Sequence, residues 1–298
     1  MGEFLKTRLQ NYNPIVDVVP ARKRGTPFSP DDPNILRPLL QANIIFMGPS
    51  SPTYAVRQLT GSLAWDLVRV RHRQGAALVF TSAATIAVGD YALPVYKIYK
   101  VGEDVRAIPG LELFADFGLS LSFIPHWNNT DGGADADTSR CLPYGHDVVG
   151  MDRFSQWCDM LPPGHTIIGL DEHIGLIIDF EAVKCTVNGI SSVTLLRECN
   201  PEIYPAGSVF PVEELGDAYC PELPEDGIPV AAWEMVQNAA QAQGPDEAPA
   251  EVARLAEERQ QARLSRDWAA ADVLRQKITV FGWIVQDTPE GQKIFRQS

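Results

Sequence analysis

The sequence predicts an α/β fold, a three-layer parallel sheet with helices on both faces, followed by a small unit of two helices and a hairpin. Three observations carry this. Apolar runs of strand length at residues 43–47, 76–80, 119–124 and 166–170 alternate with stretches of helical periodicity. Runs that are apolar at nearly every position read as strands buried on both faces, the habit of parallel sheets. After residue 216 the composition turns to proline and acid, and helical periodicity returns from residue 252.

The chain has 298 residues, is 45% hydrophobic and carries a formal charge of −13. This is enough for one large domain and a smaller one. No apolar run reaches the length of a membrane span, and the N-terminal stretch is amphipathic, unlike a secretory signal. Five scattered cysteines (Cys141, Cys158, Cys185, Cys199, Cys220) include no C-x-x-C pair. That argues against structural zinc and a disulfide framework, and a cytoplasmic location is expected. The acidic balance disfavours non-specific nucleic-acid binding and suits a small or cationic substrate.

Taken in order, Phe4, Leu5, Leu9 and Tyr12 share a helical face, and residues 15–19 read as a strand. A turn-rich loop at 21–30 leads to a helix holding Ile35, Leu36, Leu39 and Leu40. The strand at 43–47 follows. Residues 56–75 read as mostly helix, with a basic end that complements the helix dipole and includes a solvated His72. The strand at 76–80 then meets a buried helix after a sharp turn at Ser82. Residues 91–103, with three tyrosines, read as an extended segment. A helix at 151–161 is stopped by Pro162-Pro163-Gly164, and a further strand is expected at 193–196.

A serine at a strand-to-helix turn is the setting of a nucleophile elbow, where helix-initial N–H groups can hold an oxyanion. The alternative is that Ser82 caps the helix. His126 directly follows the strand at 119–124, so in a parallel sheet it shares an edge with Ser82. Glu172 lies at the turn after the strand at 166–170, with Asp171 beside it. Asp90 and Glu103 are further carboxylates placed near this edge. Asp131, Asp135 and Asp137 have no standard metal-loop spacing and read as a solvated turn. No metal or other cofactor is expected.

The stretch around Thr81-Ser82-Ala83-Ala84 resembles the nucleophile turn of the peptidase E and cyanophycinase family, which has the flavodoxin-like, class I glutamine-amidotransferase-like fold. The resemblance covers about residues 13–216. It implies a serine hydrolase acting on a small peptide or amide, with Ser82 as nucleophile, His126 as general base and Glu172 as the orienting acid, for which Asp171 or Asp90 could substitute. The oxyanion would be held by the N–H of Ala83 and one from Gly48 or Ser50, since Pro49 has none to give. Phe80 and Ala84 stand where the family has glycines. A strand that lies mid-sheet in the family has no counterpart before the first helix here, so either the start of the chain is truncated or mis-chosen, or the sheet lacks its central strand. An amidotransferase would need a cysteine at Ser82.

Residues 217–245 read as a proline-acidic linker with one loose helix, closed by Gly244-Pro245. Residues 246–298 resemble the small C-terminal domain of cysteinyl-tRNA synthetase at Arg259, Ala262, Arg263, Asp267, Trp268, Ala271, Asp272, Arg275, Gly282, Asp287, Thr288, Pro289 and Gly291. The resemblance implies contact with tRNA. From residue 246 onward the chain has eight Lys/Arg against nine Asp/Glu, a balance that fits docking to a protein or to the first domain more readily. Domains are thus expected at 1–216 and 246–298. The reading that competes with the hydrolase is a non-catalytic binding protein on the same fold, whose tail docks tRNA or protein.

Overall fold

The computed structural model describes residues 2–12, 14–128, 148–197, 200–242, 248, 250–288 and 291–296. Asn129, Asp131, Asp135, Asp137, Cys141, Cys199, Gly244, Pro245 and Pro289 lie outside the described residues. The chain forms two compact units, one of Val19–Val236 and one of Met1–Val18 with Gln237–Ser298.

The larger unit is mixed α/β. Its strands are β1 (Ile44–Met47), β2 (Ala77–Phe80), β3 (Tyr91–Ala92), β4 (Ile108–Pro109), β5 (Leu121–Pro125), β6 (Thr166–Leu170), β7 (Ile174–Asp179), β8 (Lys184–Gly189), β9 (Ser192–Arg197), β10 (Asn200–Pro205) and β11 (Val209–Pro211). With the helix Gly2–Arg8 of the other unit as α1, its helices are α2 (Pro52–Leu59), α3 (Leu63–Arg73), α4 (Ala83–Ala87), α5 (Val148–Cys158) and α6 (Val230–Ala242), the last reaching past the division at residue 236.

One continuous parallel sheet is not what these strands make. β1 and β2 pair in parallel by themselves, while β5 and β6 pair in parallel within a mixed ladder ordered β10-β9-β6-β5. β9 and β10 join it antiparallel, and β11-β8-β7 is a separate antiparallel ladder. β2 and β5 share no ladder. Nor is β2 buried on both faces. Its register sets Ala77 beside Ile44 and Val79 beside Phe46 on one face, and Ile44 is 60% and Val79 39% exposed. The opposite face carries Ile45 into the core.

Local chemistry explains other departures. Residues 15–19 form no strand, and Ile15 and Val18 are exposed. The expected helix at 56–75 is two helices, because Thr60-Gly61-Ser62 interrupts it: Gly61 takes φ 62 and Ser62 Oγ accepts the Trp65 N–H as a new N-cap. His72 is not solvated. Its Nδ1 lies 3.1 Å from Ala76 O, its ring packs edge-on to Phe117 and Phe180, and burial lowers its pKa. Residues 96–101 wind as a π-helix instead of extending. The stretch 217–236 is no free linker, since Ile228, Ala232 and Val236 are buried in the main core. Arg69, bidentate on Asp116, also donates to Gly227 O at 2.7 Å.

In the smaller unit, α7 (Ala250–Leu264) and α8 (Trp268–Val280) precede a hairpin of β12 (Trp283–Thr288) and β13 (Gly291–Arg296). Asp267 caps α8 by accepting the Ala270 N–H. Val252, Leu255, Ala256, Ile278, Trp283 and Val285 make its core. Arg259, 3% exposed, reaches from α7 to Asp287 at 3.0 Å through both terminal nitrogens and to Gln292 at 2.6 Å. A buried guanidinium requires such partners.

Candidate active site

Ser82 sits between β2 and α4 at φ 51 and ψ −117, a conformation that L-residues rarely hold. Its side chain makes no capping hydrogen bond, so the capping alternative does not describe it. Ser82 Oγ instead lies 3.1 Å from His126 Nε2. His126 follows β5 at φ 58, and its Nδ1 lies 3.3 Å from Glu172 Oε1 in the turn between β6 and β7. Ser82, His126 and Glu172 are therefore joined in series. The His126 side chain is 24% exposed and that of Glu172 39%, so the chain opens to solvent at the acid.

The elbow accommodates its bulky neighbour. Phe80 points inward and packs on the main core, while Ala84 is 2% exposed and small enough for the close turn. Ala83, as the first residue of α4, has no acceptor for its N–H within the helix. β1 and β2 end in register at Met47 and Phe80, so the loop holding Gly48 and Ser50 leaves the sheet beside the Thr81–Ser82 turn. Ser51 is occupied as the cap of α2, accepting the Tyr54 N–H.

A second set of contacts fixes the Glu172 turn, and no sequence pattern marked it. The Glu172 N–H donates to Asn128 Oδ1 at 2.8 Å, and Asn128 Nδ2 donates to Ser191 Oγ at 3.2 Å. Ser191 Oγ donates to Asp171 Oδ2 at 2.6 Å, which also accepts the Ser192 N–H at 3.0 Å. Asp171 is thus committed to the clamp and is not the acid that faces His126. Asp90 and Glu103 are not at this edge. The Asp90 N–H donates to Leu121 O at 2.7 Å, at the opposite end of β5, and Glu103 pairs with Arg106 at 2.6 Å and Lys97 at 3.2 Å. Among the described residues no group of three or more His, Cys, Asp or Glu side chains is placed to hold a metal, and no helix is long and apolar enough to cross a membrane.

No family model matches the chain. Its fold is similar to the crystal structure of a peptidase from an acI-B1 Actinobacterium, with a TM-score of 0.50 and 16% identity over 70% of this chain and 74% of that one. A putative peptidase E protein from Listeria monocytogenes aligns with a TM-score of 0.37 and 12% identity over 69% of this chain. A short segment is similar to cysteine–tRNA ligases: 55% identical over 51 residues to that of Methanosarcina mazei, and 54% over 48 residues to that of Chlamydia abortus. Those stretches are 17% and 16% of this chain, and the chain spans only 11% and 10% of the ligases. The chain thus resembles a peptidase in fold over most of its length and a tRNA ligase in sequence over a short part.

Proposed function

We propose that the larger unit is a serine hydrolase of the peptidase E-like type that cleaves a peptide or amide bond. The observation that carries this reading is the hydrogen-bonded series Ser82–His126–Glu172 with Ser82 held in a strained turn. In this mechanism His126 Nε2 takes the Ser82 proton as Oγ attacks the carbonyl, then returns it to the leaving amine. Glu172 accepts from Nδ1–H, fixing the tautomer that leaves Nε2 basic and stabilising the imidazolium. The developing oxyanion takes hydrogen bonds from the N–H of Ala83 and of Gly48 or Ser50. Water then repeats the cycle on the acyl-enzyme. The test is turnover of a panel of dipeptides and simple amides by the full chain. Hydrolysis that vanishes in Ser82→Ala supports the reading, and hydrolysis unchanged in that variant overturns it.

One observation favours a second role for the smaller unit. Arg263 lies over the exposed Trp268 ring at 5.5 Å, a pairing that suits stacking on a nucleobase. With the ligase-like segment, this supports tRNA contact. Filter binding of tRNA across a salt series tests it: weaker binding by Trp268→Ala is expected, and no binding at low salt excludes it.

A further inference from the structure

His126 reaches Ser82 through an irregularity at the end of β5. Pro125 is the register partner of Leu170. The slant of a parallel ladder gives each facing carbonyl the N–H of the residue after its partner, which for Leu170 is His126. Leu170 O instead accepts the Trp127 N–H at 2.9 Å. His126 is thus one residue too many for the ladder and is looped out at φ 58. An extra residue of this kind bends the strand end and re-aims a side chain. The side chain so turned is the imidazole whose Nε2 lies 3.1 Å from Ser82 Oγ.

The residue after the loop holds it in place. Trp127 is 2% exposed, and its ring lies against Gly169, directly before Leu170 in β6. A Cβ on Gly169 would lie 2.5 Å from Trp127 Cδ2, 2.8 Å from Cγ and 3.0 Å from Cε2. Gly169 does not hold a positive φ, so space, and not backbone conformation, requires glycine there. Its backbone is paired on both sides, with Ile124 of β5 and Thr194 of β9. Phe154 of α5 stands edge-on to the Trp127 ring at 5.6 Å, and is itself tilted on Trp157 at 6.1 Å. The Trp127 indole N–H is buried without a hydrogen-bond partner. Packing against a strand backbone and a helix therefore holds this ring.

We infer that Trp127, seated on Gly169, is the positioning residue that delivers His126 to Ser82, a role whose catalytic consequence rests on the hydrolase reading. No ladder joins β2 to β5, so sheet hydrogen bonds do not set the distance between the Ser82 and His126 turns. Two anchors on Trp127 do: its N–H on Leu170 O and its ring on Gly169. Glu172 meets the same imidazole at Nδ1, which turns the ring but leaves the backbone of the loop where Trp127 puts it. A side chain at position 169 lifts the indole off the ladder. A displacement of about 1 Å then carries the Ser82 contact past hydrogen-bond range.

The test compares Gly169→Ala and Trp127→Phe with wild type in the full chain. Gly175→Ala in β7 is the control, because a Cβ there would meet nothing closer than Asn188 O at 3.7 Å. The first readout is the nitrogen resonance of His126 Nε2 at about pH 8, above the ordinary histidine range. In wild type and in Gly175→Ala, adding Ser82→Ala should move this resonance, since Nε2 loses its partner. In Gly169→Ala the resonance should already stand at the moved position, and adding Ser82→Ala should change nothing. Trp127→Phe keeps Cγ on Gly169, loses the outer ring and removes an unpartnered N–H, so it should fold and show part of the same shift. It decides the matter if Gly169→Ala does not fold.

The second readout is acylation by a fluorophosphonate. Gly169→Ala should slow it about ten- to hundredfold and Trp127→Phe about tenfold, with KI unchanged in both. A His126 resonance that stays at the wild-type position in the folded variants, still sensitive to Ser82→Ala, overturns the inference. So does wild-type acylation in both variants. A wild type that takes no fluorophosphonate while the resonance shifts appear as described removes the hydrolase reading and leaves the placement of His126 by Trp127 standing.

Discussion

His126 Nε2 lies 3.1 Å from Ser82 Oγ, and both residues hold positive φ, 58 and 51. Each ends an apolar strand in a turn that aims its side chain along the sheet edge. Because β2 and β5 share no ladder, the pair depends on what anchors each turn.

Asn128 holds the backbone of Glu172 while Asp171 holds the same turn through Ser191. Asn128→Ala should cost about 1 kcal/mol in stability. If Glu172 orients His126 as proposed, the variant should slow acylation of Ser82 by a fluorophosphonate about ten- to hundredfold, because that carboxylate is displaced. Reagent binding, read as KI, should not change. A lower melting temperature with an unchanged inactivation rate would limit Asn128 to a structural role.

Phe80 stands where the resembled turn has glycine, and its ring packs on the core. Phe80→Gly should therefore destabilise the larger unit by about 2–4 kcal/mol. Denaturant unfolding measures this. A neutral or stabilising effect would mean that the ring strains the elbow instead of supporting it.

Two cysteines should differ sharply in reactivity. Cys185 is buried, and desolvation pushes its thiol up to about 12, with the Glu213 charge adding to the rise, whereas Cys220 is exposed. Iodoacetamide under native conditions should alkylate Cys220 and spare Cys185, as read by peptide mass spectrometry. Equal labelling would show that the β8 region opens readily.

In the smaller unit, the Arg259 hydrogen bond is the main cause holding the Asp287 carboxyl below its ordinary range. A depressed acid contributes stability above its unfolded value, and that stability is lost as pH falls below it. The hairpin should therefore loosen in acid, and Asp287→Asn should be weaker at neutral pH but less sensitive to acid. Hydrogen exchange at residues 283–288 checks both. Screening at this largely exposed carboxylate keeps the effect modest.

The strand ends that carry the candidate site were legible because each is an apolar run closed by a polar turn: Ser82 after β2, His126 after β5, Glu172 after β6. The clamp was not legible. Asn128, Asp171 and Ser191 meet through antiparallel pairing of β6 with β9, and nothing local marks that pairing. β8 and β10 were missed because three of the six residues of β8 and five of the six of β10 face solvent, and the sequence is polar there. The single parallel sheet failed for a related reason, since strand periodicity reports burial and not which edges pair. Asp90 looked like a site carboxylate by sequence proximity alone, yet α4 carries it to the other end of β5.

The most direct test of the central claim is fluorophosphonate labelling of the pure full chain, read by intact mass, with Ser82→Ala and His126→Ala alongside. An activated serine predicts one adduct on wild type and none on either variant. A folded wild type that takes no adduct, or an adduct that persists in Ser82→Ala, would contradict it.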